Sequence, residues 1–369
     1  MTIDLIAGAR PNFMKIAPIV RAIQAKSEQG ENIDFRLVHT GQHYDKNMSG
    51  QFFEQLGIPE PHHNLEAGGG TQAEQTAKIM VNYETLLMEQ STDLCLVVGD
   101  VTSTMACSIA AKKLNLKVAH VEAGIRSGDL RMPEEINRMV TDSITDLFFT
   151  TTHGAGDNLL KAGVSDQSIY FVGNTMIDTL LSNRAKFTPP GFWGELQLEK
   201  GKYIVMTLHR PSNVDEVNKL ESIINSIVEH SRNVPLVFPV HPRTKKVLDD
   251  LVFNRANLNF VPPQGYLEFN YLVENAKAVI TDSGGITEET TVMGIPCMTL
   301  RDSTERPETV DIGTNELLGT DWRAIPPAMD KLFSNQWKTG EVPELWDGKT
   351  AERIVEVILE LKGKGYFNN

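Results

Sequence analysis

The sequence predicts two doubly wound α/β domains in series. Short apolar runs alternate with stretches of helical periodicity along most of the chain, the order of a parallel sheet covered by helices on both faces. The alternation is interrupted at Lys186 to Lys202, where Pro189-Pro190-Gly191, Trp193 and mixed charge carry no clear period, and it then resumes. The apolar runs end again and again in polar or charged residues, at the carboxyl strand ends where open α/β sheets bind ligands.

The first series opens with a strand at Ile3 to Ala7 and a turn at Gly8-Ala9-Arg10. Pro11 takes a favoured first helical position, and Phe13, Ile16, Ile19, Val20 and Ile23 repeat at helical spacing to about Lys26. Strands are predicted at Phe35 to Thr40, near Asn64-Leu65, at Leu94 to Val98, Val118 to Val121 and Leu147 to Thr151. Helices are predicted at Gln51 to Leu56, Ala73 to Glu89, Thr102 to Leu114, Glu134 to Ile144 and His153 to Lys161. The hinge is placed at Gly173-Asn174, giving a first domain of 1–173 and a second of 174–349.

The second series predicts strands at Tyr203 to Leu208, Leu236 to Val240, Leu258 to Val261 and Ala278 to Thr281. Helices fall at Asp215 to His230, Thr244 to Leu251, Leu267 to Asn275 and Ile286 to Met293, with a last one at Thr350 to Lys362. Thr281 to Glu289 reads TDSGGITEE, a strand that stops at Asp-Ser-Gly-Gly and opens a helix. First-turn N–H groups and the helix dipole make such a junction an anion site, and Gly284 and Gly285 let a phosphate approach the backbone. Ser283 is placed to cap, and Glu288 or Glu289 to accept from sugar hydroxyls. An ordinary Gly-rich turn fits this stretch equally well when it is read alone.

Composition narrows the class of partner. The 369 residues carry a net charge of −13, which argues against a nucleic-acid partner held by phosphate contacts, so an anionic ligand needs a local basic pocket. Cys95, Cys107 and Cys297 lie in apolar segments and read as buried thiols of a reducing compartment. The start MTIDLIAGARP lacks a secretory pattern, no apolar stretch reaches the roughly 18 residues of a membrane span, and the cytoplasm is the default location. No metal-ligand spacing and no nucleophile motif is present.

The strand ends supply the candidate site. Arg10 and Lys15 bracket a helix N-terminus, where cations oppose the dipole unless an anion lies between them; a solvated surface pair is the alternative. Arg126, Arg131 and Arg138 cluster around Pro133-Glu134-Glu135, also the pattern of a salt-bridge network. His209-Arg210 and His241 end strands of the second series. Asp100, Glu122 and Glu134 sit at strand ends or in the loops that follow, on adjacent βα units. Carboxylates gathered in a cleft split their pKa values as acid/base chemistry needs. For Asp100, before Thr102-Ser103, helix capping competes with that role.

These residues lie in motifs that, taken together, resemble the non-hydrolysing UDP-N-acetylglucosamine 2-epimerase family. In order they are GARPNFMKIAP, TGQH at Thr40 to His43, VVGDVTST, HVEAGIRSGD, PEEINR, VGNTMID, LHRPSNVDE, PVHPRT, TDSGGITEE and TERPE, spread over nearly the whole chain. The resemblance implies a GT-B arrangement of two Rossmann-like domains with a cleft between them, a last helix (350–369) that crosses back to the first domain, and a homodimer. It implies inversion at C2 of UDP-GlcNAc without NAD or a required metal, by anti elimination of UDP to 2-acetamidoglucal and re-addition. On that basis Asp100, Glu122, Glu134 and His209 match catalytic positions. Arg10, Ser283, Gly284 and Gly285 match diphosphate positions and Glu289 the ribose site, with Lys15, Arg126, Arg210 and Arg306 as supporting cations. Gln42, His43 and His241 match the activator site of bacterial members, yet Glu66 to Gln72 holds no arginine to complete it. Two further departures stand out: Asn12 where many members are acidic, and PSNVD after His209-Arg210 in place of a REN-type run. The second bears on sugar choice, for example a C3-amino or uronic acid variant. A hydrolysing relative and a GT-B glycosyltransferase remain as competing readings.

Overall fold

The computed structural model describes residues 1–41, 50–240, 242–248 and 256–368. Gln42, His43 and His241, the expected activator residues, lie outside the described residues. Strands β1 (Thr2–Ala7), β2 (Asp34–His39), β3 (His63–Asn64), β4 (Leu94–Val98), β5 (Lys117–Val121), β6 (Leu147–Thr150) and β7 (Ile169–Phe171) form one sheet, in the order β3-β2-β1-β4-β5-β6-β7. Strands β8 (Ile204–Thr207), β9 (Leu236–Pro239), β10 (Leu258–Val261), β11 (Ala278–Thr281), β12 (Cys297–Thr299) and β13 (Asn315–Leu317) form the other, in the order β10-β9-β8-β11-β12-β13. All described pairings are parallel.

Both sheets are wound the same way. The chain starts in the middle, builds outward on one side, then returns to build on the other. In the first sheet the reversal lies between β1 and β4, with Ile3 opposite Leu94 and Leu5 opposite Leu96. In the second it lies between β8 and β11, with Ile204 opposite Ala278 and Thr207 opposite Thr281. Connections leave these neighbouring strands in opposite directions, which opens a crevice at their carboxyl ends. Four loops border these crevices: those after β1 and β4 in one sheet, and after β8 and β11 in the other.

The central strands read as continuous apolar runs because both faces are covered. Every residue of β4 is buried, as are Ile204, Val205 and Met206 of β8. On one face of the second sheet Met206, Phe238 and Ile280 pack against Leu220, Ile224 and Ile227 of the helix Val217–His230. On the other, Val205, Val237 and Val279 meet Leu272 and Val273 of the helix Tyr266–Glu274. Cys95, Cys107 and Cys297 are free and buried, and burial pushes the Cys297 thiol up to about 11.

The chain divides into two compact units, Met1–Thr179 with Glu344–Asn369, and Leu180–Pro343. The division falls inside the helix Thr175–Asn183, beyond the Gly173-Asn174 hinge placed by composition. Asp178 accounts for the added residues of the first unit. Its carboxylate accepts from the backbone of Thr350 at 3.1 Å and Ala351 at 2.7 Å, tying the N-terminus of the helix Thr350–Gly363 to this point. That helix packs along the helix Arg10–Glu28. Strands β7, β12 and β13 escape sequence reading because three residues show no period. The helix Ile325–Phe333 hides behind Pro326-Pro327 in its first turn.

Asp178→Ala should free the start of the last helix. The loss of a buried acceptor facing two N–H groups is worth about 2 kcal/mol, seen as a lower urea midpoint. Hydrogen exchange should quicken first in the helix Thr350–Gly363.

Candidate functional site

In the first unit the two loops of the crevice are joined by one amide. Asn12 is 2% exposed. Its Oδ1 accepts from the backbone of Gly8 at 3.1 Å and Ala9 at 2.9 Å, and its Nδ2 donates to the Val98 carbonyl at 3.2 Å. A carboxylate cannot make the last bond, so the Asn12 departure noted in the sequence has a local role. Lys15, one turn further on, reaches Glu122 Oε2 at 2.7 Å. Glu122, the residue after β5, has φ +69°, a left-handed conformation costly for a residue with a Cβ and characteristic of functional sites. Gly99 also has a positive φ, +68°, and a Cβ there would stand 3.0 Å from Lys15 Nζ. Glycine lets the β4 loop pass over the Lys15–Glu122 pair without displacing the lysine.

Asp100 does not cap the helix that follows it. Val101 holds the N-cap position of Thr102–Lys113, without a side-chain bond, and the Asp100 carboxylate turns to Arg138 at 2.5 Å. Arg138 is forked, its other amino group 2.8 Å from Glu135 Oε2. Glu135 in turn accepts from Ser127 N, Ser127 Oγ and Gly128 N at 2.9, 3.0 and 3.1 Å. Burial works to raise its pKa, but these donors and Arg138 hold it below the ordinary value. Glu134 stands beside it, half-buried, in the first turn of the helix Pro133–Ile144 rather than in a loop. Arg10 opens its helix from an exposed position.

Arg126 is engaged elsewhere. Its guanidinium lies 2.7 Å from Asp142 Oδ2, and Asp142 Oδ1 lies 2.7 Å from His120 Nδ1. The other nitrogen of His120 faces the Gly99 carbonyl at 2.8 Å. This buried chain supports the β4 loop from beneath, and sequence reading did not find it. The bordering cavity, about 500 Å³, is lined by Arg126, Asp142, Ser143 and Ser165 among others.

In the second unit the equivalent staple is Asp282, fully buried after β11. It accepts from the backbone of His209 at 3.1 Å and Arg210 at 2.9 Å, and from Asn213 Nδ2 at 3.2 Å. Its Oδ1 is 2.8 Å from His209 Nδ1. Burial pushes its pKa upward, but the His209 ring, the Arg210 N–H and Asn213 more than offset this, and the net shift is downward. Arg210 Nε donates to the Asp282 carbonyl at 3.1 Å. Both residues expected after β8 are thus held by the one loop opposite.

The helix Gly284–Met293 begins at the glycines, two residues earlier than its sequence suggests. Ser283 is its N-cap but makes no side-chain cap bond, contrary to expectation; its N–H donates to Thr281 Oγ1 at 3.0 Å. Neither Gly284 nor Gly285 has a positive φ. A Cβ on Gly285 would meet nothing within 4 Å, and one on Gly284 only Arg301 Nη1 at 3.5 Å. Neither conformation nor packing within the chain calls for glycine at these positions. The bare, open backbone at a helix N-terminus is what an approaching anion requires. Arg301 is therefore a cation at this junction, itself paired with Glu305 at 2.8 Å.

Glu289 lies deeper. Burial foremost, with Glu288 adding to the rise and the neighbouring Tyr266 and Asn270 opposing it, brings its carboxyl to about 7. Glu308 reaches about 7 as well, first through burial. Arg306 Nε donates to Glu288 Oε1 within the same buried group. Among the described residues no group of His, Cys, Asp and Glu is arranged to hold a metal, and no helix is long and apolar enough to cross a membrane.

Fold and site together define a nucleotide-binding α/β enzyme built of two Rossmann-like units. A family model described as UDP-N-acetylglucosamine 2-epimerase matches residues 25–359. A UDP-N-acetylglucosamine 2-epimerase of Methanocaldococcus jannaschii is 39% identical over 371 residues, 97% of this chain and 99% of the relative. A UDP-2,3-diacetamido-2,3-dideoxy-D-glucuronate 2-epimerase of Pseudomonas aeruginosa is 41% identical over 322 residues, 86% of this chain and 88% of the relative. A crystal structure of the M. jannaschii UDP-GlcNAc 2-epimerase in complex with UDP-GlcNAc and UDP superposes with a TM-score of 0.84 at 39% identity, covering 98% of this chain and all of the other (100%). The chain belongs to the non-hydrolysing UDP-N-acetylglucosamine 2-epimerase family, an isomerase family with the GT-B-like fold.

The raised carboxyl of Glu289 makes a pH prediction. In the unfolded chain it ionises at its ordinary 4.5, in the folded unit at about 7. The folded state binds the extra proton between those values, so stability is lost as pH rises from about 4.5 to 7 and is level above. Glu289→Gln removes this share. Its urea midpoint should gain on the wild type from pH 5 to about pH 7 and hold that gain above. A gap independent of pH would contradict the assignment.

Proposed function

We propose that this chain reversibly interconverts UDP-GlcNAc and UDP-ManNAc, eliminating UDP and adding it back to the same face of C1 while the proton returns to the opposite face of C2. The open backbone of Gly284 and Gly285, unexplained by anything inside the chain, carries the reading of a phosphate anchor. The C2 hydrogen is a poor acid, so the C1–O bond must break early, its electron pair leaving on the phosphate oxygen. A carboxylate takes the C2 proton as the C1=C2 bond of 2-acetamidoglucal forms. A second carboxylate then delivers a proton to the opposite face of C2 while UDP adds again at C1.

We assign the two proton transfers to Asp100 and Glu134, supported by the motif match and by the release of Asp100 from any capping role. Glu122, braced by Lys15, is the third carboxylate. His209 faces the leaving phosphate, Arg10, Arg210 and the Ser283 to Gly285 turn hold the diphosphate, and Glu289 takes the ribose hydroxyls. Arg306 acts through Glu288, and Arg126 through the loop it braces. A uronic acid with a second acetamido group is the alternative sugar, favoured by the P. aeruginosa relative and by the PSNVD run. We also propose a cytoplasmic homodimer joined through the first unit, where Val81 and Met88, on the helix Gln72–Glu89, are exposed.

The deciding assay is NMR of UDP-GlcNAc with the protein in D₂O. Deuterium entering C2 together with UDP-ManNAc is expected; free ManNAc with equimolar UDP would mean hydrolysis, and exchange confined to the diacetamido uronic acid would move the substrate. Asp100→Asn and Glu134→Gln should each lower exchange at least about 10²-fold, with UDP still bound. Near-normal exchange in either would remove that residue from the mechanism. Gly285→Ala should hold or raise stability by up to about 1 kcal/mol and weaken UDP binding, read by titration calorimetry.

A further inference from the structure

We propose that Asp282 is the positioning residue of His209. It fixes the proton on Nδ1 and leaves Nε2 as the nitrogen that meets the leaving phosphate. The inference rests on the role of His209 in the epimerase reading above.

The geometry leaves the pair little choice. Asp282 is 0% exposed and meets donors from the His209 and Arg210 backbone and from Asn213. A carboxyl surrounded by donors accepts and does not donate, so it stays ionised. The group 2.8 Å from its Oδ1 is His209 Nδ1, which must then carry a hydrogen. The His209 side chain is 45% exposed, so the fold does not enclose the ring, although its Nδ1 lies against the buried carboxylate. A histidine held by a buried carboxylate is fixed in rotamer and tautomer, and its protonated form is charge-balanced before any ligand arrives.

This arrangement matters for the elimination. As the C1–O bond breaks, its electron pair goes to the phosphate oxygen. A protonated His209 donates from Nε2 to that growing charge and still donates from Nδ1 to Asp282. The proton need not leave the ring, so re-addition of UDP finds the same donor in place. Asp282 also sits one residue before the N-cap of the anion-binding helix. Its negative charge there would oppose a diphosphate unless His209 and the two backbone N–H groups balance it. The loop therefore needs His209 for charge as much as His209 needs the loop for orientation.

Two measurements test the proposal. The first is two-dimensional ¹⁵N–¹H NMR of the histidine rings in the full chain, with the His209 signals assigned by their loss in His209→Gln. At high pH, neutral His209 should show Nδ1 protonated and Nε2 bare; the opposite tautomer overturns the proposal whatever the activity, and this needs no variant of Asp282. The second is kinetic. Asp282→Asn presents an amide N–H to Nδ1 and should flip the tautomer, lowering kcat by about 10²–10⁴-fold, as expected for a wrong tautomer, with KM within about 3-fold. The double variant with His209→Gln should be no slower than the slower single variant, because the two residues act as one unit. Multiplying effects, or a large loss in Asp282→Asn with the tautomer unchanged, would make Asp282 merely structural. As a control, Asn213→Ala loosens the same loop and should lower stability without moving the tautomer. If the wild type fails the C2 exchange assay while its ring is Nδ1-protonated, the function is wrong and the positioning stands.

Discussion

A parallel sheet that winds outward from its middle leaves two neighbouring strands whose loops diverge, and the molecule depends on how that gap is stapled. In the second unit the staple is the Asp282 carboxylate, which gathers the His209 and Arg210 backbone and the Asn213 amide. In the first it is the Asn12 amide, which gathers Gly8 and Ala9 and reaches across to Val98. The two staples differ in charge for a chemical reason. Asn12 must donate as well as accept, since its far partner is a carbonyl. Asp282 faces donors alone, and a buried anion is tolerable where every lone pair direction is met. Remove either staple and the two loops at the carboxyl ends of neighbouring strands lose their common anchor.

Charge in both units is largely balanced before any ligand arrives. Lys15 is taken by Glu122, Arg138 by Asp100 and Glu135, Arg301 by Glu305, and Arg306 by Glu288. In a chain of net charge −13 this keeps cations in fixed places rather than free on the surface. Under the proposed reading, a diphosphate would find its fresh donors mainly in the backbone N–H groups of the helix Gly284–Met293. Such donors cost no side-chain entropy and do not reorganise. The local excess of acid is met by protonation: Glu289 and Glu308 sit near Glu288, and burial carries both to about 7.

Much of this was readable from the sequence where a residue type has few uses. Pro11, the apolar runs of β1, β4, β8 and β11, and the strand-to-helix junction at TDSGG each limit the local backbone, so the alternating order and the loops at the carboxyl strand ends followed. The carboxylate and arginine candidates followed from position at strand ends. What was not readable is pairing across long separations. Nothing local says that Asp282 belongs to His209, seventy-three residues away, or that His120 supports Gly99 through its ring. Ser283 shows the same limit in reverse: its type suits capping, yet the hydroxyl makes no cap bond because the glycines themselves begin the helix. Three-residue strands carry no period, so β7, β12 and β13 are defined only by the sheet that completes them.

The Asn12 position shows how a departure from a family pattern can be explained without invoking a new activity. An acidic residue there brings a negative charge beside the Lys15–Glu122 pair and competes for the same cation. Asparagine removes that charge and supplies the donor that binds the end of β4. Lys15 is then left to Glu122 alone, and Gly99, with no Cβ, lets the β4 loop lie directly over the pair at 3.0 Å from Lys15 Nζ to the site of a Cβ. Bond count, charge and steric room at this point all agree on one arrangement, in which the loop bearing Asp100 is held from below by His120 and from the side by Asn12. The proposed acid/base role of Asp100 requires a fixed loop, and two buried side chains supply it, each facing a backbone carbonyl at the end of β4.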